Sequence, residues 1–175
     1  ALPILKRLTD VYADVEMVGQ DDKFVYYTSA EVSPVDNHLF RVEVKSGKKT
    51  RLTQAEGWHK VTMSGDMKYF VDNYSSLKVP RVILLVQNDG KKVKELLKAE
   101  DPTKDYNFGE ITLGTVKSAD GKFNNYYRLI KPMNFDASRK YPVIVYVYGG
   151  PHSQMVKNTW QAEMRRWEMY MAQHG

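Results

Sequence analysis

The chain has 175 residues and a mass of 20.2 kDa, which corresponds to about one domain or to two incomplete ones. Charged residues make up 27% of the chain and hydrophobic residues 42%, close to globular averages, which excludes disordered, collagen-like and coiled-coil classes. The net charge of +5 is spread over both halves of the chain without a basic block, so no nucleic-acid partner is expected.

The absence of cysteine excludes disulfides, cysteine zinc sites and a thiol nucleophile. The longest apolar runs, residues 82–86 and 143–148, are far too short to cross a bilayer. We therefore expect a soluble chain with no membrane association in this segment.

Two segments of the first hundred residues follow a common plan. Lys23-Phe-Val-Tyr-Tyr and Lys68-Tyr-Phe-Val-Asp begin 45 residues apart, and each is preceded by an acidic turn and followed by a second strand, a glycine turn and a third strand. A repeat of this length is typical of the four-stranded blades of a β-propeller. A stacked β-sandwich is the alternative.

The second strand of the first repeat is predicted over residues 38–45. Alternation places Phe40, Val42 and Val44 on one face, and the opposite face carries Leu39 with three charged residues. The counterpart in the second repeat is residues 81–86. Tight turns should follow at Gly47 and Gly90, since glycine adopts a positive φ without a Cβ penalty.

The pattern changes after residue 104. Residues 111–117 and 122–130 predict another hairpin around a turn that ends at Gly121. The run 143–148 is apolar at every position, which predicts a strand that is covered on both faces within a parallel or mixed sheet. An amphipathic helix should follow, because four large apolar residues recur at helical spacing and are expected to pack in the core: Trp160, Met164, Trp167 and Met171.

The fold class predicted from these elements is mainly β with an α/β end. Two blade-like antiparallel sheets, in residues 1–104, are followed by a hairpin and then a strand and helix of α/β type in residues 105–175.

No complete catalytic motif is present in the sequence. A Gly-x-Ser-x-Gly elbow, a P-loop, a dinucleotide-binding glycine motif and a His-Glu-x-x-His motif are all missing. The four histidines are scattered, and none has a His or carboxylate neighbour at metal-ligand spacing: His38, His59, His152 and His174. We expect surface or turn roles for them and no metal or organic cofactor.

The most informative motif is Tyr148-Gly-Gly-Pro-His-Ser-Gln154, which lies between the predicted buried strand and the predicted helix. In α/β-hydrolases this position supplies part of the oxyanion hole. A phenol stays protonated at neutral pH and can donate one directed hydrogen bond, so Tyr148 is the candidate oxyanion donor. A packed strand-end tyrosine with a solvated hydroxyl is the alternative.

Residues 128–154, which run from Arg128-Leu-Ile-Lys-Pro to Tyr148-Gly-Gly-Pro-His-Ser-Gln, resemble the dipeptidyl peptidase IV branch of the prolyl oligopeptidase family. The upstream repeat also resembles the last part of that family's propeller, so the resemblance covers the chain as an internal fragment. It implies that residues 1–104 are the C-terminal part of a β-propeller domain and that residues 105–175 are the start of an α/β-hydrolase domain, truncated before the nucleophile. It implies a serine exopeptidase that releases N-terminal dipeptides, preferably with proline second, by an acyl-enzyme route. Tyr148 matches the family's oxyanion-hole tyrosine.

The resemblance also implies where the remaining catalytic and substrate-binding residues lie. The nucleophile, acid and base should follow residue 175, and the acidic pair that holds the substrate's amino terminus should precede residue 1. We therefore assign solvent or turn roles to the acidic residues Glu16, Asp21, Asp22 and Glu31, and no nucleophilic role to Ser153. The expected partner is a peptide substrate, with a homodimer formed as in the family or through exposed sheet edges. The family favours a periplasmic or cell-envelope location.

Two other functions are compatible with the sequence. The chain could be a non-catalytic β-rich module that binds a protein or peptide and ends in a docking helix. It could also belong to a related peptidase that acts on blocked amino acids or internal peptide bonds. Tyrosine before Gly149-Gly150 favours the dipeptidyl branch.

Overall fold

The computed structural model describes residues 7–106, 108–150 and 152–174. These residues form ten strands, one short 3-10 turn and one α-helix. The strands are β1 (Val15–Gln20), β2 (Phe24–Ser29), β3 (His38–Glu43), β4 (Lys49–Arg51), β5 (Trp58–Met63), β6 (Tyr69–Ser76), β7 (Val79–Gln87), β8 (Lys92–Lys98), β9 (Ile111–Lys117) and β10 (Asn124–Ile130); the 3-10 turn is Trp160–Glu163 and the helix α1 is Arg166–Gln173.

Two four-stranded antiparallel sheets confirm the predicted blade-like repeat. The first has the order β1-β2-β3-β4 and the second β5-β6-β7-β8, so each sheet is a meander of sequential neighbours. The fold is thus mainly β and antiparallel with little helix, as the alternating patterns and glycine turns predicted.

The main core lies between the two sheets. Its buried side chains come from both repeats: Tyr26, Leu39, Leu52, Phe70 and Val86. A second cluster, Tyr27, Phe40 and Val42, covers the other face of the first sheet together with Leu8. Both faces of β3 are therefore buried. Leu39 lies on the face that alternation assigns to it, with the charged residues of β3, and the second sheet packs against Leu39 on that face.

The predicted hairpin turns are present. Gly47, Gly90 and Gly121 have φ values of 74°, 93° and 73°, in the left-handed region that a Cβ disfavours. The hairpin of β9 and β10 pairs in continuous register from Ile111 opposite Ile130 to Lys117 opposite Asn124.

Residues 143–148 do not form the predicted buried strand. They are extended without ladder hydrogen bonds, and each of their side chains is exposed. A strand needs backbone partners at its edges and cover on its faces. No described strand pairs with this run, so it has the apolar pattern of a buried strand but belongs to none of the described sheets.

The predicted continuous helix is broken in two. Gln161, Ala162 and Glu163 have φ values of 47°, 51° and 56°, so the chain makes a left-handed turn before α1 begins at Arg166. Backbone groups of this turn are held by other elements: the Gln161 amide donates to the Leu77 carbonyl at 3.3 Å, and the Arg128 guanidinium donates to the Ala162 carbonyl at 2.6 Å. These bonds outweigh the local preference for a right-handed helix.

The apolar stripe of the predicted helix does not pack in the core. Trp167 and Met171 are exposed on α1, and Trp160 and Met164 are half-buried. Instead, α1 is attached to the β9–β10 hairpin by an ion pair. Two carboxylate oxygens of Glu168 accept hydrogen bonds from Arg128 at 2.7 and 2.8 Å.

The outer strand of the second sheet, β8, is exposed along its whole length. It carries three lysines, Lys92, Lys94 and Lys98, together with exposed Val93, Leu96 and Leu97. Its free edge is therefore both apolar and positively charged.

Candidate functional site

A cleft of about 1510 Å³ runs along the inner strands of both sheets. One wall is formed by β1 and β5, the first strands of the two repeats. The opposite wall is formed by residues 146–148 and 153–157, and Tyr126 of β10 completes the lining. The volume is ample for a short peptide, since small-molecule sites are usually several hundred Å³.

Tyr148 lies in the wall of this cleft and is 46% exposed. Its ring bends back over Gly150: a Cβ built on that glycine would lie 3.0 Å from the phenol oxygen and from the ring carbon that bears it. Gly150 thus leaves room for this orientation of the phenol, whereas a Cβ on Gly149 would meet nothing within 4 Å. The tyrosine is not sealed in apolar packing.

Tyr146, two residues earlier, lines the same cleft and anchors the segment to the helix region. The Arg165 guanidinium lies 4.3 Å from the Tyr146 ring centroid, and Trp167 meets that ring edge-on at 6.5 Å. A hydrogen bond with Tyr146 raises the pKa of Arg165 above its usual value. The 146–148 segment is therefore held on one side by a cation–π contact.

A buried polar cluster between the sheets was missed by the sequence analysis. Nδ1 of His59 lies 2.9 Å from both carboxylate oxygens of Asp72, and Nε2 lies 2.9 Å from the carbonyl oxygen of Ala55. Both partners are acceptors, so both bonds form only when the ring is protonated on both nitrogens. The prediction of a surface or turn role was wrong for His59 and for His38, because both side chains are buried between the sheets.

His38 packs against this pair, with its ring centroid 5.1 Å from that of His59. Burial and then the positive charge of His59 lower the pKa of His38 to about 4. The neutral ring fits its partner: Nδ1 lies 3.2 Å from the Thr53 hydroxyl, whose oxygen already accepts from the Leu39 amide.

The contact of Thr53 with His38 resembles a nucleophile–base pair in connectivity, but its setting is structural. Both side chains are buried, and Tyr74 stacks on His59 at 4.7 Å. A nucleophile has to reach a substrate carbonyl. The cluster therefore stabilises the packing of the two sheets. The other histidines, His152 and His174, are exposed as expected.

Glu16, Asp21 and Asp22 have the turn or solvent environments that the sequence predicted, whereas the side chain of Glu31 is only 9% exposed. Asp21 accepts from the amides of Phe24 and Lys23 at 2.7 and 2.8 Å. Burial alone would raise the pKa of Asp21, but these amide donors outweigh it and lower that pKa. Glu31 pairs with Lys49 at 2.7 Å, and Glu16 is exposed in the cleft wall.

In the ranges that the structure describes, no group of three or more His, Asp or Glu side chains is arranged to hold a metal ion. Within the same ranges, no helix has the length and apolar character needed to span a bilayer.

Comparison with known proteins gives a consistent group of relatives. Residues 4–81 match the family model described as the dipeptidyl peptidase IV N-terminal region. The chain is 32% identical over 152 residues to human dipeptidyl peptidase 8, covering 81% of this chain and 17% of that protein. It is 28% identical over 151 residues to dipeptidyl peptidase 4 of Arthroderma otae, covering 83% of this chain and 19% of that protein.

Two solved structures share the fold over nearly the whole chain. A Bacteroides ovatus protein assigned as a dipeptidyl aminopeptidase IV is 41% identical, with a TM-score of 0.85 and coverage of 97% of this chain and 25% of that one. Porphyromonas gingivalis dipeptidyl peptidase 4 is 30% identical, with a TM-score of 0.88 and coverage of 98% and 25%. The chain spans less than a fifth of these curated relatives and a quarter of the solved chains.

Proposed function

Because the chain belongs to the dipeptidyl peptidase IV family, we propose that it is part of a serine exopeptidase that releases dipeptides, with proline second, from the N-terminus of peptides. The observation that carries the proposal is the position of Tyr148, half-exposed in the wall of a large cleft beside the inner strands of both sheets.

The two parts of the chain have separate roles in this proposal. Residues 1–104 form the last blades of a propeller, supported by two meander sheets packed face to face. Residues 105–175 begin an α/β-hydrolase domain. The extended apolar run at 143–148 supports this assignment, since it has the composition of a central strand and lacks only neighbouring strands.

Tyr148 supplies an oxyanion donor in the proposed mechanism. A serine elsewhere in the complete protein attacks the carbonyl carbon of the substrate's second residue, and negative charge develops on that carbonyl oxygen while the bond to the third residue's nitrogen breaks. The phenol donates a hydrogen bond to this oxygen and stabilises the tetrahedral intermediate more than the ground state. Serine, histidine and aspartate perform the proton transfers, so the reaction requires no metal or organic cofactor.

The proposal is tested in the complete protein encoded by the gene that contains this chain, with a chromogenic Xaa-Pro dipeptide as substrate. Tyr148→Phe removes only the hydroxyl and should lower kcat about 100-fold or more, the usual effect of losing one oxyanion donor. Tyr127→Phe on β10 makes the same change outside the cleft and should leave kcat unaltered. Full activity of Tyr148→Phe would refute the role, and a complete protein without peptidase activity would favour the binding-module alternative.

The 175-residue chain by itself should have no peptidase activity, because Ser153 in the cleft wall donates to the Met155 sulfur, and the described hydroxyl–histidine contact, Thr53 with His38, is buried away from the cleft. The same chromogenic assay on the purified chain measures this. Saturable turnover that disappears with Tyr148→Phe would contradict it.

Three further properties follow from family membership and are part of the same proposal. The substrate partner is a peptide, the complete protein forms a homodimer, and it is located in the periplasm or cell envelope. Size-exclusion chromatography with light scattering measures the oligomeric state. Fractionation of the source cells measures the location.

A further inference from the structure

A pair of polar side chains joins the segment after the cleft wall to the first sheet. Asp36 lies in the loop between β2 and β3, and Asn158 lies just before the left-handed turn. The Asn158 side-chain amide donates to Oδ1 of Asp36 at 2.8 Å, and the same oxygen accepts from the backbone amide of Gly57 at 3.1 Å. The carboxylate therefore bridges the segment and the start of β5.

Asn158 also reaches the second sheet. Its side-chain oxygen accepts from the Leu77 amide, in the turn between β6 and β7, at 2.9 Å. Its own backbone amide donates to the Val35 carbonyl at 2.7 Å. The side-chain amide thus uses its donor on one sheet and its acceptor on the other, which fixes its orientation and the position of residue 158 relative to both sheets.

A second anchor lies closer to Tyr148. The Gln154 side chain donates to the Pro34 carbonyl at 2.5 Å and to the Val156 carbonyl at 3.0 Å. The segment 154–158 is therefore attached at both ends to the loop that contains Asp36, and residues 153–157 line the same cleft as Tyr148. By contrast, residues 143–148 form no ladder with a described strand, so the attached segment is what relates the cleft wall to the sheets.

We propose that the Asp36–Asn158 pair is a positioning device that sets the Tyr148 phenol in the cleft, and that it acts on turnover through that phenol. This inference rests on the proposed function. An oxyanion donor has to lie 2.7–3.1 Å from the developing charge, and a displacement of about 1 Å can cost on the order of 100-fold in rate. A pair that fixes the segment following Tyr148 therefore controls kcat without contacting substrate.

The first test alters the pair in the complete protein and measures kcat and KM with the chromogenic Xaa-Pro dipeptide. Asn158→Asp places a second carboxylate against Asp36, and kcat should fall by about 10-fold or more while KM stays within about twofold, since the lost interaction acts only in the transition state. Asn88→Asp is the matched control: the Asn88 amide donates to the Met67 carbonyl at 2.9 Å within the second sheet, so this change should leave kcat unaltered.

The second test is rescue by exchange. The double variant Asp36→Asn with Asn158→Asp exchanges the carboxylate and the amide, so that residue 36 donates to residue 158 and residue 158 still accepts from the Leu77 amide. The Gly57 amide loses its acceptor, because one atom of residue 36 faces both Gly57 and residue 158. The double variant should therefore recover part of the kcat lost in Asn158→Asp, by about threefold or more. If Asn158→Asp does not fold, Asp36→Asn alone removes the charge and should lower kcat in the same direction.

The third test is a double-mutant cycle with Tyr148→Phe. In that background Asn158→Asp should change kcat by less than about twofold, because its effect passes through the hydroxyl that is already gone. Effects that multiply, or a lower melting temperature with unchanged kcat, would overturn the positioning role and leave the proposed function standing. Full activity of Tyr148→Phe would overturn both.

Discussion

The two longest apolar runs of the sequence reach opposite environments. Residues 82–86 form the centre of β7, where Val82 and Val86 are buried between β6 and β8. Residues 143–148 are similar in composition but exposed and unpaired. An apolar run therefore predicts the capacity to form a buried strand, whereas partners on both edges and faces decide whether it does.

The largest effect should come from the buried charges beside β7. Asp72 lies opposite Leu84 in the sheet and pairs with His59. Asp72→Ala removes both acceptor oxygens from the buried Nδ1 of His59, and the unsatisfied buried group should lower the free energy of unfolding of the chain by about 3 kcal/mol. Urea denaturation followed by circular dichroism measures this change. As the control, Glu95→Ala removes an exposed ion pair with Lys92 in the same sheet and should change the free energy of unfolding by less than about 0.5 kcal/mol. Equal effects of the two substitutions would refute the assignment of a buried ion pair.

A matched substitution in the two runs compares them directly. Val82 is 5% exposed and Val145 is 77% exposed. Val82→Ala should destabilise the 175-residue chain by about 2 kcal/mol, and Val145→Ala by less than about 0.5 kcal/mol. In the complete protein Val145→Ala should become as costly as Val82→Ala if hydrolase strands cover it. No increase there would contradict the proposed α/β-hydrolase domain.

Acid should weaken the core and leave the exposed run unaffected. The pKa of His38 is lowered to about 4 in the folded chain, from an ordinary value of 6.5. The unfolded chain therefore binds a proton first as the pH falls from 6.5 to 4, and the free energy of unfolding should decrease by up to about 1.4 kcal/mol per pH unit in that window. Comparison with His38→Gln, which should lose this part of the slope, measures the effect. An unchanged slope would show that another group is responsible.

The smallest effect concerns two glycines. Gly47 has a φ of 74°, so Gly47→Ala should destabilise the hairpin by about 1 kcal/mol although a Cβ there has open space. At Gly149 a Cβ also meets nothing within 4 Å, and φ lies outside the left-handed region, so Gly149→Ala should be neutral or slightly stabilising. Thermal unfolding of both variants measures the difference, and a similar loss at the two sites would refute the backbone argument.

The sequence predicted those parts of the fold that depend on near neighbours. Alternation and glycine turns were enough for both blade-like sheets and for the β9–β10 hairpin, because each strand pairs with the next along the chain. The burial of Leu39 depends on the packing of one sheet on the other. The break in the helix depends on a hydrogen bond to the Leu77 carbonyl and one from the Arg128 guanidinium, and both residues are distant in the chain.

The sequence marked only one candidate site residue, Tyr148, and its oxyanion role stays a prediction. The Tyr148-Gly-Gly motif placed the tyrosine at a candidate site, and the structure shows it in a cleft wall. The His59–Asp72 pair was missed because the two residues are 13 positions apart and carry no motif. The register of β5 and β6 pairs Val61 with Asp72, which brings His59 diagonally close, so an explicit hairpin register would have revealed it.

The lysines of β8 affect the association of separate molecules. Their ammonium groups repel an identical strand and keep the outer rim of the second sheet from templating fibrils. The unguarded apolar stretch before Gly149 has no such protection. We therefore expect aggregation of the purified chain to begin at that stretch, and a single lysine introduced there to improve its solubility.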